Sequence, residues 1–182
     1  MVEKKLLTLA GVVGILACGA CFLPPLPQKK APLPPALSSV HEIAVQVEDG
    51  AAGNLFDPVI MSSATASNFN RILMDYQVRA EAYNTGGHGD AVLRITVLNK
   101  TTSCVPKGNG EYCSIELIAS YTLTAVDGRV LLSRPRESSK NGIWQQGNSL
   151  PENLKANTFR RLASESLAAT AGRLFLSSTS SN

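Results

Sequence analysis

The chain is poor in the residues that most often carry chemistry. Its 182 residues include two histidines, one tryptophan and four cysteines. Aromatic residues make up only 5%, so a core has to be mainly aliphatic. The net charge is +3, and Lys4 and Lys5 fall in the opening residues, which leaves the remainder near neutral. That argues against nucleic acid as a partner, because neutralising phosphates needs a concentrated basic face. No G-x-S-x-G motif is present, so His88, close to Asp90, has no nucleophile motif to serve and reads as a loop histidine. The glycines of residues 84–89 do not stand between a strand and a helix, which disfavours a phosphate cradle. A metal held by two cysteine thiolates would need two further ligands, and His41 and His88 are the only histidines. The composition points to a chain that is not an enzyme and that uses no metal and no cofactor.

What is present is concentrated at the start. Lys4 and Lys5 precede a short apolar run, Leu6 to Ala17, interrupted by one threonine. The run ends Ile15-Leu16-Ala17-Cys18, with Cys21 three residues on. This is the layout of a secretory signal, and its end resembles the lipobox of bacterial lipoproteins, whose cysteine is acylated. Ile15 and Ala17 make Cys18 the preferred lipidation site. Cys21, preceded by Gly19 and Ala20, is the second choice. An uncleaved anchor helix and ordinary signal cleavage are the alternatives. The run reaches Leu23 before Pro24 and Pro25 stop it, near the lower end of the ~17–25 residues that cross a bilayer.

These features divide the chain into a signal peptide at 1–18, a linker at 19–40, a domain at 41–176 and a flexible tail at 177–182. Six of the ten prolines fall in residues 22–40, a composition that favours an extended spacer. The domain holds two cysteines, Cys104 and Cys113, flanking a stretch with Pro106, Gly108 and Gly110. In an exported chain this pattern reads as a disulfide stapling a hairpin. Closing so short a loop contributes about 2–3 kcal/mol.

Periodicity supplies the elements. Ile43, Val45 and Val47 alternate on a first strand from His41 to Glu48. Asp57-Pro58 is an N-cap followed by proline in the first helical turn. Phe69, Ile72, Leu73 and Tyr76 then form a helical stripe ending near Gln77. A short strand covers Val78 to Tyr83. Leu93, Ile95 and Val97 alternate from Asp90 to Asn99, and Ile115, Leu117, Ala119, Tyr121 and Leu123 do so from Ser114 to Ala125. Asp127-Gly128 is a two-residue hairpin turn, with a last strand opening at Arg129. Residues 134–148 are polar, and Trp144 is their one large apolar side chain, fit either for the core or for a partner. Ser149 and Glu152 form a capping box before a helix from about Leu150 to Leu176. The expected fold is α+β, a two-layer sandwich in which two helices pack on one face of a mostly antiparallel sheet.

The segments HEIAVQVED, DAVLRITV, ASYTLTAVDGRVLL and PENLKANTFRRLASESLAATAGRL, in this order, resemble the LptE family of outer-membrane lipoproteins. The resemblance spans roughly residues 41–176. It implies a lipid-anchored protein on the periplasmic side of the outer membrane, with a β-barrel protein as partner and lipopolysaccharide as ligand. The chain departs from the family in its cysteine pair, its long proline-rich linker and the segment after the first strand. Accessory lipoproteins of ABC-type lipid transporters have a similar layout and form the rival reading. Either function would be served by cations on one sheet face that hold lipid phosphates through charge-assisted hydrogen bonds. Arg94, Lys100, Lys107 and Arg129 are the candidates, and a solvated outer face is the plainer account of them.

Overall fold

The computed structural model describes residues 33, 35–51, 56–83, 89–147 and 151–177. Cys18, Cys21, His88, Ser149 and the tail beyond Ser177 lie outside them, as does most of the linker. Five strands and two helices follow in the order β1 (Glu42–Asp49), α1 (Pro58–Leu73), β2 (Arg79–Ala82), β3 (Ala91–Lys107), β4 (Gly110–Ala125), β5 (Val130–Gln146) and α2 (Glu152–Ser177). The sheet order is β2-β1-β3-β4-β5. β1 runs parallel to both of its neighbours. The three long strands β3, β4 and β5 form an antiparallel meander. The result is the α+β sandwich anticipated from the pattern: a mostly antiparallel sheet with two helices.

The alternating apolar residues supply the inner face. Ile43, Val45 and Val47 of β1, Leu93, Ile95 and Val97 of β3, and Ile115, Leu117, Ala119, Tyr121 and Leu123 of β4 are all buried. Against them pack Met61, Phe69 and Leu73 of α1 and Phe159, Leu162, Leu167 and Leu174 of α2. Leu37 and Val40, just ahead of β1, are buried in the same core. The packed unit therefore takes in the end of the segment read as linker.

Polar side chains finish what the ladders leave open. Asp57 caps α1 by accepting from the Val59 and Ile60 amides at 2.8 and 3.1 Å. Gln77 takes a left-handed conformation with φ 57° and stops the helical segment, a common helix ending. β2 is a short edge strand, and Asn70 of α1 behaves as a further strand beside it. Its carboxamide donates to the Ala80 carbonyl and accepts from the Ala80 amide, both at 2.6 Å. Beyond the end of β2, the Val47 amide donates to the Ser62 hydroxyl at 2.9 Å.

Two stretches differ from the sequence reading. The segment between the cysteines is not a long turn: β3 and β4 continue pairing to Lys107 and Gly110. The polar stretch after Ser133 is strand as far as Gln146. β5 is an edge strand that needs little apolar surface, because β4 supplies the hydrogen-bonding template. Its Arg134, Pro135 and Arg136 lie at a register shift between Ala119 and Tyr121 of β4. Bulges, prolines and charges of this kind discourage further strand addition at an edge.

Candidate functional site on the open sheet face

The face of the sheet turned away from the helices is mostly polar over its β1 side. Gln46 of β1, Arg94 of β3 and Thr122 of β4 are direct neighbours in register and form one row across three strands. Ala44, Val92 and Thr124 form the next row. Gln46, Val92, Arg94, Thr122 and Thr124, together with Tyr83 and Asp90, line a concavity of about 700 Å³. Its surroundings are one guanidinium, the Asp90 carboxylate at the rim, two threonine hydroxyls, a carboxamide and a phenol, with Val92, Ala125 and Val126 as the apolar contribution. That set suits an amphiphile with an anionic or hydroxylated head group.

Arg94 is anchored on one side only. Its Nε lies 3.4 Å from Gln46 Oε1 and 3.6 Å from Glu48 Oε1. Gln46 in turn donates to Glu48 at 2.9 Å. The Arg94 side chain is 59% exposed, so the pair with Glu48 contributes little to stability. It does hold the guanidinium over the concavity.

The four candidate cations do not form a row. A bulge between Val97 and Asn99 inserts Leu98 as an extra residue in β3, and an odd insertion moves every later side chain to the other face. Lys100 therefore stands opposite the buried Leu117. It pairs with Asp49, lies 5.0 Å from the centre of the Phe56 ring, and is only 8% exposed. The same bulge brings Lys107 to the open face, at the far end of the hairpin. There its ammonium sits 5.6 Å from the centre of the Tyr112 ring. On β4, the partners of Arg94 and Lys107 are Thr122 and Gly110, about 40 Å apart along the strand. Arg129 pairs with Asp127 of its own turn at 3.3 Å.

Asp90 lies at the rim of the concavity and accepts from the His41 and Glu42 amides at 2.8 and 3.1 Å. Those two amides hold its carboxyl below the usual carboxylate range. Its hydrogen bonds thus secure the start of β1. Burial pushes the Tyr121 hydroxyl up, opposed by a hydrogen bond with Thr170.

Cys104 and Cys113 are joined as a disulfide and face each other directly across β3 and β4, with Cα atoms 4.0 Å apart. Glu111 lies beside the two sulfurs, but sulfurs bonded to each other present no thiolate to a metal. Trp144 is 44% exposed, on the outer face rather than in the core. Among the described residues, no helix is long and apolar enough to cross a membrane. Gln46, Tyr83 and Thr124 were not singled out from the sequence. The outward positions of Gln46 and Thr124 follow from alternation, but their place beside Arg94 depends on strand order and register.

No protein-family model and no curated protein matches the chain. Among solved structures, it is similar to a minor lipoprotein from Acinetobacter baumannii at 12% identity and TM-score 0.40, covering 74% of this chain and 91% of that one. It is similar to the PelC dodecamer from Paraburkholderia phytofirmans at 14% identity and TM-score 0.39, covering 75% and 89%. Lipoprotein GNA1162 from Neisseria meningitidis follows at 15% identity and TM-score 0.35, covering 67% and 94%. Likeness at this level transfers no role to the chain.

Proposed function

We propose that this protein is a non-enzymatic lipoprotein of the cell envelope, tethered through Cys18, that assists lipopolysaccharide transport at the outer membrane together with a β-barrel protein. The observation that carries the proposal is the cysteine-terminated leader, Ile15-Leu16-Ala17-Cys18, because it assigns both a compartment and an anchor. The order of elements agrees with the layout that the family resemblance implies. The concavity around Arg94 supports a lipid ligand, since a guanidinium among threonine hydroxyls can accept a phosphate or sugar head group.

Two measurements test this. Cys18→Ser releases the chain from membranes if Cys18 carries the lipid; retention overturns the anchor assignment. Depletion of the protein lowers surface lipopolysaccharide, and an unchanged level overturns the transport role. Co-purification identifies the partner. A β-barrel protein supports the proposal, and an inner-membrane transporter replaces it with the accessory role in an ABC-type system.

A further inference from the structure

The distal end of the β3–β4–β5 meander carries an arrangement that neither the core nor the concavity explains. Val105, Tyr112 and Trp144 are direct cross-strand neighbours, a row of three on the open face. Val105 is 48% and Trp144 44% exposed. Part of the reason for the rings is local: a Cβ on Gly142 would meet the Tyr112 hydroxyl at 2.3 Å, and one on Gly110 would meet the Trp144 ring at 3.0 Å. The rings cover two glycines, yet their outer surfaces and Val105 stay bare. The Trp144 indole donates to the Lys107 carbonyl at 3.2 Å, which ties the ring to the turn.

Two features narrow what could cover this patch. The first is charge. Nearby, Lys140 is paired with Glu116, and Lys155 lies 3.9 Å from Glu111. Among the described residues, Lys107 has no carboxylate partner and rests over the Tyr112 ring. The patch thus presents one uncompensated cation amid amphipathic aromatics, the combination that settles at a bilayer interface with anionic head groups. The second is rigidity. The disulfide sits one residue pair inward from Val105 and Tyr112 and fixes the strands where the patch begins.

We propose that this hairpin tip is a second membrane contact, in which Trp144, Tyr112 and Val105 enter the interface of a lipid surface and Lys107 meets its anionic head groups. The inference rests on the reading that the chain works at a membrane, and not on its role with lipopolysaccharide.

Trp144 is the sole tryptophan, so its fluorescence reports on the tip alone. The full chain, reconstituted in vesicles of phosphatidylethanolamine and phosphatidylglycerol, shows blue-shifted Trp144 emission that brominated acyl chains quench. Phosphatidylcholine vesicles give a smaller shift. Lys107→Gln weakens the contact about fivefold, the effect of one cation at an anionic surface, and Val105→Ser reduces the shift further. Both positions are exposed, and unchanged urea midpoints confirm that the variants fold. Emission that remains water-like and unquenched on vesicles overturns the proposal. If Trp144 is then shielded in native envelope membranes, the tip meets a protein partner instead. The same readings on Cys18→Ser separate the two assignments, because loss of the anchor leaves the response of the tip to added vesicles intact.

Discussion

Lys100 carries its charge into the side of the sheet that the helices cover, where Asp49 neutralises it. Both side chains are nearly excluded from water, at 8% and 12% exposure. The pair links β3 to the end of β1, and Phe56 lies against the ammonium. Removing one member of a buried pair leaves the other charge without compensation, which costs about 3–5 kcal/mol. Lys100→Met is therefore expected to lower unfolding stability by about that much, read from urea denaturation. Replacing both partners, as Asp49→Leu with Lys100→Met, recovers most of the loss. Such a recovery distinguishes an internal ion pair from a ligand contact. If Lys100→Met leaves the midpoint unchanged, the pair does not hold β3 to β1. Arg94 contrasts with it: partnered through one nitrogen and mostly exposed, it is free to serve the concavity without structural penalty.

At the level of elements, the disulfide and the bulge act on the same strand with opposite consequences for what the sequence reveals. Cys104 and Cys113 flank turn residues, so their pairing was legible from spacing and compartment. Its contribution should be about 2–3 kcal/mol by loop closure. A Cys104→Ala/Cys113→Ala chain should unfold at correspondingly lower urea, and reductant should shift the native chain similarly. Equal midpoints in all three would show that pairing of the tip strands does not depend on the staple. Asp57, the stripe of α1 and the inward residues of β4 were equally plain, because each is set by its own few neighbours. The bulge at Leu98 was not. In DAVLRITVLNK the alternation of Leu93, Ile95 and Val97 breaks only at Leu98-Asn99, a signal that a strand end would give equally, and the insertion is defined only against the partner β4, so Lys100 read as an outer-face cation. The parallel pairing of β1 with both β2 and β3 is likewise a property of strand order. It brings Gln46 beside Arg94 across a separation of 48 residues. β5 stayed hidden for another reason: an edge strand with one wet face shows polar residues wherever a loop would.

The domain formed by the described residues is joined in two layers. In the sheet, β1 and β3 run side by side over seven paired residues and fuse the β1–β2 part to the meander. In the helical layer, α1 lies over the first part and α2 over the second, and the helices meet through Phe69 and Phe175, edge to face at 6.0 Å. They also approach closely at Gly172, where an added Cβ would lie 2.7 Å from Ile72 Cγ2. Glycine inside a helix costs about 0.5–1 kcal/mol relative to alanine, a loss offset by the close approach it permits. Gly172→Val is therefore expected to destabilise the chain by about 1–3 kcal/mol through overpacking. Adding Ile72→Ala should restore part of that, because the two side chains compete for one space and their effects are not additive. The readout follows from the architecture. Far-UV circular dichroism weighs both helices, and Trp144 reports from the end of β5, far from Gly172 along the fold. If the two layers make one cooperative unit, both signals shift together in Gly172→Val and trace coincident transitions. A circular dichroism transition that moves while the Trp144 transition stays in place would show that the hairpin stalk unfolds independently of the helical layer.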